Sequence, residues 1–151
     1  MAIALSQFYK YSTNRQTENW SSLEQEIEIL ETYLDIEKIR FGKRLQYKIL
    51  CPDALKLSKV PRFLLQPLVE NAIKYGYQSN TNSIDIQVVI GEDAHGEILM
   101  QVFDGGQPFP ENMPSGYGVQ SVRKKLDLLL PDADELAFVN EPQKHVAITL
   151  Y

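Results

Sequence analysis

With 151 residues, 44% of them hydrophobic, the chain can bury one sizeable core and reads as a single domain plus an appendage. A formal charge of -5 excludes an electrostatic nucleic-acid binder, which needs a basic face. Cys51 is the only cysteine, so neither a disulfide framework nor a cysteine metal cluster is available, and no apolar run is long enough to span a bilayer. The setting expected from this is reducing, soluble and cytoplasmic, with no signal peptide visible.

Ile3 to Tyr11 is apolar and helix-compatible but too short to stand alone, so it should pack on something, a partner chain included. Met1-Ala2 leading straight into it suggests the start of a fragment. Thr13 to Asn19 is polar and breaks the pattern. Ser21 and Glu24 then form the Ser-x-x-Glu spacing of a capping box, which predicts the start of a long helix. Leu23, Ile27, Leu30, Leu34 and Phe41 follow at heptad-like spacing. A second stripe of Ile29, Tyr33 and Ile36 predicts burial on more than one side, and Gly42 marks the stop. Leu45, Tyr47, Ile49 and Cys51 alternate into a strand that Pro52 ends.

The stretch PRFLLQPLVENAIKYGYQ, Pro61 to Gln78, has helical periodicity. Leu65, Leu68, Val69, Ala72 and Ile73 share one apolar side, and Asn71, Lys74, Tyr75 and Gln78 fall on the other. Pro61 is expected in its first turn. Pro67 is expected to kink it, because proline removes a donor and meets the carbonyl of Phe63. Asn80 to Ser83 is a turn cluster. Ile84, Ile86, Val88 and Ile90 predict a strand, joined through Gly91 to Gly96 to a second one over Ile98, Met100 and Val102, as a hairpin. Gln107 to Ser115 holds three prolines and is irregular. Helix resumes near Tyr117 with Val119, Val122, Leu126 and Leu129 on one face, and Pro131 closes it. Leu136 to Asn140 and His145 to Tyr151 predict a closing antiparallel pair. The order defines an α+β fold, with helices packed on one face of a mixed, mostly antiparallel sheet.

Three pieces carry chemistry. Asn71 offers a carboxamide oxygen suited to a hydrated Mg²⁺, and Lys74, one turn on, is a point charge for phosphate; an ordinary amphipathic helix would show the same residues. Asp104 is in phase with Ile98, Met100 and Val102, which points its carboxylate inward, where it needs a donor. Gly105-Gly106 lets a flat ligand approach, so Asp104 suits the exocyclic amine of adenine; a simple Asp-Gly-Gly turn with the carboxylate in water is the alternative. Gly116-Tyr117-Gly118 before a helix offers free amides to a phosphate, although such a triplet is more often only a loop. Arg123, Lys124 and Lys125 read as a solvated face, with Arg123 able to reach inward.

In order and spacing these pieces resemble the N, G1 and G2 boxes of the GHKL (Bergerat-fold) ATP-binding superfamily. LLQPLVENAIKYG and LEQEIEILETYLDIEKIRFGKRL resemble the LytS/YehU-type sensor histidine kinases, GYGVQSVRKKL resembles their glycine-led helix, and the likeness covers nearly the whole chain. LSQFYKYS is similar to the end of that family's dimerisation and phosphoacceptor region. The resemblance implies a remnant of that region over 1–20 and an ATP-binding domain over 21–151, folded as a two-layer α/β sandwich. It implies that Asn71 coordinates Mg²⁺, Lys74 meets the phosphates of ATP and Tyr75 flanks the nucleotide. Asp104 would receive the adenine amine, Gly106 would shape the G1 turn, Gly116 and Gly118 would line the phosphate end, and Gln107 to Ser115 would be the lid.

The activity so implied is transfer of the ATP γ-phosphoryl to a histidine outside this sequence. The implied partners are the dimerisation and phosphoacceptor domain of the same protein, in a homodimer, and a downstream response regulator. The domain would be the cytoplasmic part of a protein in the cell membrane. His95, in a hairpin loop, and His145, at a strand edge, read as surface residues, so the chain is not expected to phosphorylate itself. Two features depart from the pattern: Pro108 stands where the G1 box has its second glycine, and the lid is short and proline-stiffened. An ATPase of the chaperone kind would carry a glutamate four residues before Asn71, where this chain has Pro67. Glu70 is rotated about 100° away and is left an assisting role through a Mg²⁺-bound water. An anti-sigma-type serine kinase, and a degenerate domain that only dimerises, are the alternatives.

Overall fold

In the computed structural model the described residues are 20–76, 82–106, 108–109, 119–129 and 134–150. The expected N-terminal helix, most of the 107–115 segment and the glycines at 116 and 118 lie outside them. The helix α1, Leu23–Phe41, is fixed by a reciprocal cap. The Gln25 N–H donates to Ser22 Oγ at 3.2 Å, and the Ser22 N–H donates to Gln25 Oε1 at 3.1 Å. The cap sits one residue beyond the expected Ser21/Glu24 pair because Ser21 is used elsewhere. It lies in the short strand β1, Trp20–Ser22, and its hydroxyl donates to Glu26 Oε1 at 2.7 Å. Both stripes of α1 are covered: Leu23, Leu30 and Leu34 are fully buried, Ile29 is buried, and Tyr33 and Ile36 are half-buried. Gly42, at φ 62, ends the helix in a conformation that glycine adopts at little cost.

The strand β2, Leu45–Leu50, is followed by β3, Lys59–Pro61, which pairs antiparallel with β1 and sets Pro61 opposite Trp20. That pairing corrects the expected position of the next helix. Pro61 is strand, Phe63 turns the chain at φ 58, and α2 runs only over Gln66–Tyr75. Pro67 therefore falls in the first turn, where its missing N–H has no intrahelical partner to lose, and the expected kink does not arise. The left-handed Phe63 is pinned by Glu26, whose Oε1 accepts its backbone N–H at 3.0 Å.

The main sheet has the order β2-β4-β5-β7-β6, with β4 Ile84–Glu92, β5 Ile98–Asp104, β6 Asp134–Val139 and β7 His145–Leu150. Among the described residues only the β2–β4 pair is parallel; α2 lies in the crossover between these two strands, as a parallel pair requires. The inward residues of β4 and β5 share one core with Leu68, Val69, Ala72 and Ile73 of α2, and Val122 and Leu126 of α3, Val119–Leu129, belong to the same core. The result is the expected two-layer α+β arrangement. Because β5 keeps strict alternation to its end, Asp104 finishes the strand on the helix-covered side, opposite Ile86.

Candidate functional site

The C-terminal ends of β5 and α2 meet without side chains between them. A Cβ on Gly106 would lie 2.5 Å from the Tyr75 carbonyl oxygen and 2.6 Å from Gly76 Cα, and one on Gly76 would lie 3.0 Å from Asp104 Cβ and strike the Ala72 carbonyl oxygen. Only glycine fits at both places, and their contact sets Asp104 beside the last turn of α2.

Asp104 is 7% exposed, as its phase requires, and its donors are now identified. The Gly106 N–H donates to Oδ1 at 2.9 Å, and so does the Lys144 ammonium, also at 2.9 Å. Both bonds fall on Oδ1, and Oδ2 accepts none from the described residues. The Lys144 side chain is 8% exposed, and the ring of Phe109 covers its ammonium at 4.6 Å. Phe109 is held from two sides. Its N–H donates to Asn140 Oδ1 at 2.8 Å while Asn140 Nδ2 donates to its carbonyl at 3.2 Å, and its ring meets Phe138 edge-on at 5.1 Å.

Asp104 and Lys144 line one cavity with Asn71 and Tyr75 of α2, walled by Leu68, Val102, Phe138 and Val146 and roofed by Phe109. The cavity volume is about 10 Å³, room for about one water. Four of the residues named from sequence thus meet at one place: Asn71, Tyr75 and Asp104 on the cavity, and Gly106 directly beneath. Lys74 does not line it; it is exposed, with its ammonium 5.1 Å from the Tyr75 ring centroid. Glu70 also stands outside. Its Oε1 accepts from Gln66 Nε2 at 3.1 Å, and its charge acts on Tyr33 of α1, whose phenol is pushed well above its ordinary range by burial first, then by Glu37 and Glu70.

One smaller expectation, the solvated face at Arg123, holds, and one, at His145, changes. Arg123 is paired along α3 with Asp127 through Nε and Nη2, both at 3.2 Å. His145 is not at an edge, since β7 lies between β5 and β6; its ring is half-buried against Phe103, 4.6 Å between centroids. His95 is exposed in the hairpin loop, as expected. The residue missed from sequence is Lys144. It follows a polar turn, where a lysine is ordinarily solvated, and its partner is 40 positions away; the unpaired inward Asp104 was the only signal that a donor must exist.

The fold is that of histidine kinase catalytic domains: it superposes on the catalytic domain of histidine kinase ThkA with a TM-score of 0.64 at 16% identity, covering 86% of this chain and 92% of that one. It superposes equally on the Acinetobacter baumannii histidine kinase AdeS, TM-score 0.64 at 15% identity, over 99% of this chain and 75% of that one. By sequence the chain is homologous to the LytS/BtsS sensor histidine kinases. It is 36% identical over 149 residues to sensor histidine kinase BtsS of Escherichia coli K12 and 30% identical over 111 residues to sensor protein LytS of Enterococcus faecalis. These matches cover 97% and 74% of this chain but 26% and 19% of the relatives, so the chain spans about a quarter of the length of BtsS or less of LytS. A family model described as histidine kinase matches residues 1–45.

Proposed function

We propose that the chain is the ATP-binding catalytic domain of a two-component sensor histidine kinase, transferring the γ-phosphoryl of Mg-ATP to a histidine outside these 151 residues. The observation that carries the reading is the meeting of Asp104 and Asn71 on one apolar-walled cavity, at the facing ends of β5 and α2. The residues fit the ligand. Asp104 Oδ2 is open to an exocyclic amine, the walls from Leu68, Val102 and Val146 suit a flat base, and Asn71 supplies a neutral oxygen for Mg²⁺. Lys74, exposed beyond Asn71, suits phosphates leaving the cavity toward solvent, and Tyr75 stands beside the nucleotide.

Bound Mg²⁺ would neutralise charge between phosphate oxygens. The chain's own contribution is positioning: Asp104 sets the base, the Gly76–Gly106 contact sets Asp104, and Asn71 and Lys74 set the phosphate end. With about 10 Å³ free, a base enters only as Phe109 moves out, which makes the loop bearing Pro108 and Phe109 the lid of this site. Gly116 and Gly118 are assigned to the phosphate end by the resemblance alone. Glu70, facing Gln66 and α1, is left at most an indirect part. The proposed partners are the phosphoacceptor and dimerisation domain of the same protein, in a homodimer, and a response regulator. Residues 1–20 are assigned to the end of that domain. Among the described residues no helix is long and apolar enough to cross a membrane, and the membrane location proposed for the whole protein rests on its sensor-kinase relatives.

Calorimetric titration with Mg-ATP, with and without chelation, tests this. The expected result is binding that chelation weakens, and an Asn71→Ala variant that stays folded, binds more weakly and no longer responds to Mg²⁺. No ATP binding, or binding indifferent to chelation in the unaltered chain, would overturn it.

A further inference from the structure

Lys144 is in the wrong place for an ordinary lysine. Its side chain is 8% exposed, its ammonium is 2.9 Å from Asp104 Oδ1, and both groups line the cavity. Burying an ion pair gives little or no net stability compared with an apolar pair of the same size, so stability alone does not account for it. Of the three N–H donors, one serves Oδ1 and one side faces the Phe109 ring; the described residues accept no other bond from it. A donor with capacity to spare thus stands next to an acceptor oxygen that is open, both on the wall of a site read as taking a purine.

We propose that Lys144 is a base-contacting, specificity-determining residue: with the exocyclic amine of adenine donating to Asp104 Oδ2, the ammonium donates to the adjacent ring nitrogen, N1. This rests on the purine-site reading above and adds to it a second polar contact to the base. Lys144 stays in place as the base enters, because leaving would strand the buried Asp104 charge, whereas Phe109 is held by exposed hydrogen bonds and ring contacts rather than by a buried charge. A site that spends a buried cation on one acceptor discriminates against a ligand lacking that acceptor, since the ammonium is then left short of a partner.

The test compares the dissociation constants of ATP and of its analogue with N1 replaced by CH, for the unaltered chain and for Lys144→Met. The unaltered chain is expected to prefer ATP by about tenfold or more. Lys144→Met is expected to lose a similar factor for ATP and to bind the two ligands alike. Equal binding of both ligands by the unaltered chain overturns the proposal while leaving the purine site intact, and so does a Lys144→Met variant that keeps the preference or binds ATP more tightly. Failure of the unaltered chain to bind ATP at all removes the purine site itself, and this contact with it. The comparison of ligands on the unaltered chain needs no variant, so it decides the matter even if Lys144→Met does not fold.

Discussion

Two buried carboxylates in this fold differ in what surrounds them. Glu26 of α1 is 0% exposed, and its Oε1 accepts from the Ser21 hydroxyl at 2.7 Å and the Phe63 N–H at 3.0 Å. It ties β1 and the β3–α2 turn to α1 and does not line the cavity that holds Asp104. Asp104 is nearly as buried and likewise takes its two bonds on one oxygen, but it lines a cavity. What separates them is where each stands: Glu26 ties segments of its own chain together, whereas Asp104 stands on a cavity wall, where a ligand can reach it. Burial alone does not mark a site, but burial with spare bonding capacity at a cavity wall does.

The sharpest way to break this contrast is to remove Glu26. Glu26→Ala strands a hydroxyl and a backbone N–H in the core and should lower the unfolding free energy by about 3 kcal/mol in urea melts. The ATP affinity of the remaining folded protein should not change. Glu26→Gln keeps the Oε1 acceptor and should cost less. If Glu26→Ala is harmless to stability but weakens ATP, the two carboxylates have been assigned the wrong way round.

A smaller effect is expected at the roof. Asn140→Ala removes the two bonds that Asn140 makes to the Phe109 backbone and should favour the open site. ATP affinity should rise about threefold, the most that part of a kcal/mol can give, with stability nearly unchanged. Lower affinity in that variant would show that Asn140 holds the bound state instead. The smallest effect is at Asp93, a half-buried hairpin-loop carboxylate far in character from both buried ones. The Glu97 N–H, at 3.0 Å, and then the His95 N–H, at 2.8 Å, hold its carboxyl below its ordinary range. Its folded-state value is depressed, so its small contribution is present above the ordinary aspartate range and is lost as pH falls through the folded value. A carboxyl-carbon NMR titration should show the depressed midpoint, and Asp93→Asn should leave ATP binding untouched.

The sequence made some of this legible because some information is local. Strict alternation in β4 and β5 announced both strands and the inward phase of Asp104, and the double stripe of α1 announced burial on two sides. What depended on partners was not legible. Pro61 reads as a helix start until Trp20 pairs with it, and Ser21 reads as a cap until Glu26 takes its hydroxyl. The parallel pairing of β2 with β4 leaves no trace in either strand's own pattern. Lys144, sought by a carboxylate 40 residues away, is the extreme case, and only tertiary proximity names it.

The central claim is that Asp104 receives the amine of a bound purine. It is tested most directly by titrating ATP, and the analogue lacking its 6-amino group, into the unaltered chain and into Asp104→Asn. The account predicts a preference for ATP of about tenfold or more in the unaltered chain, erased in Asp104→Asn, since an amide offers less acceptor charge to the amine. Equal affinity for the two ligands in the unaltered chain, or a preference that survives Asp104→Asn, would contradict it.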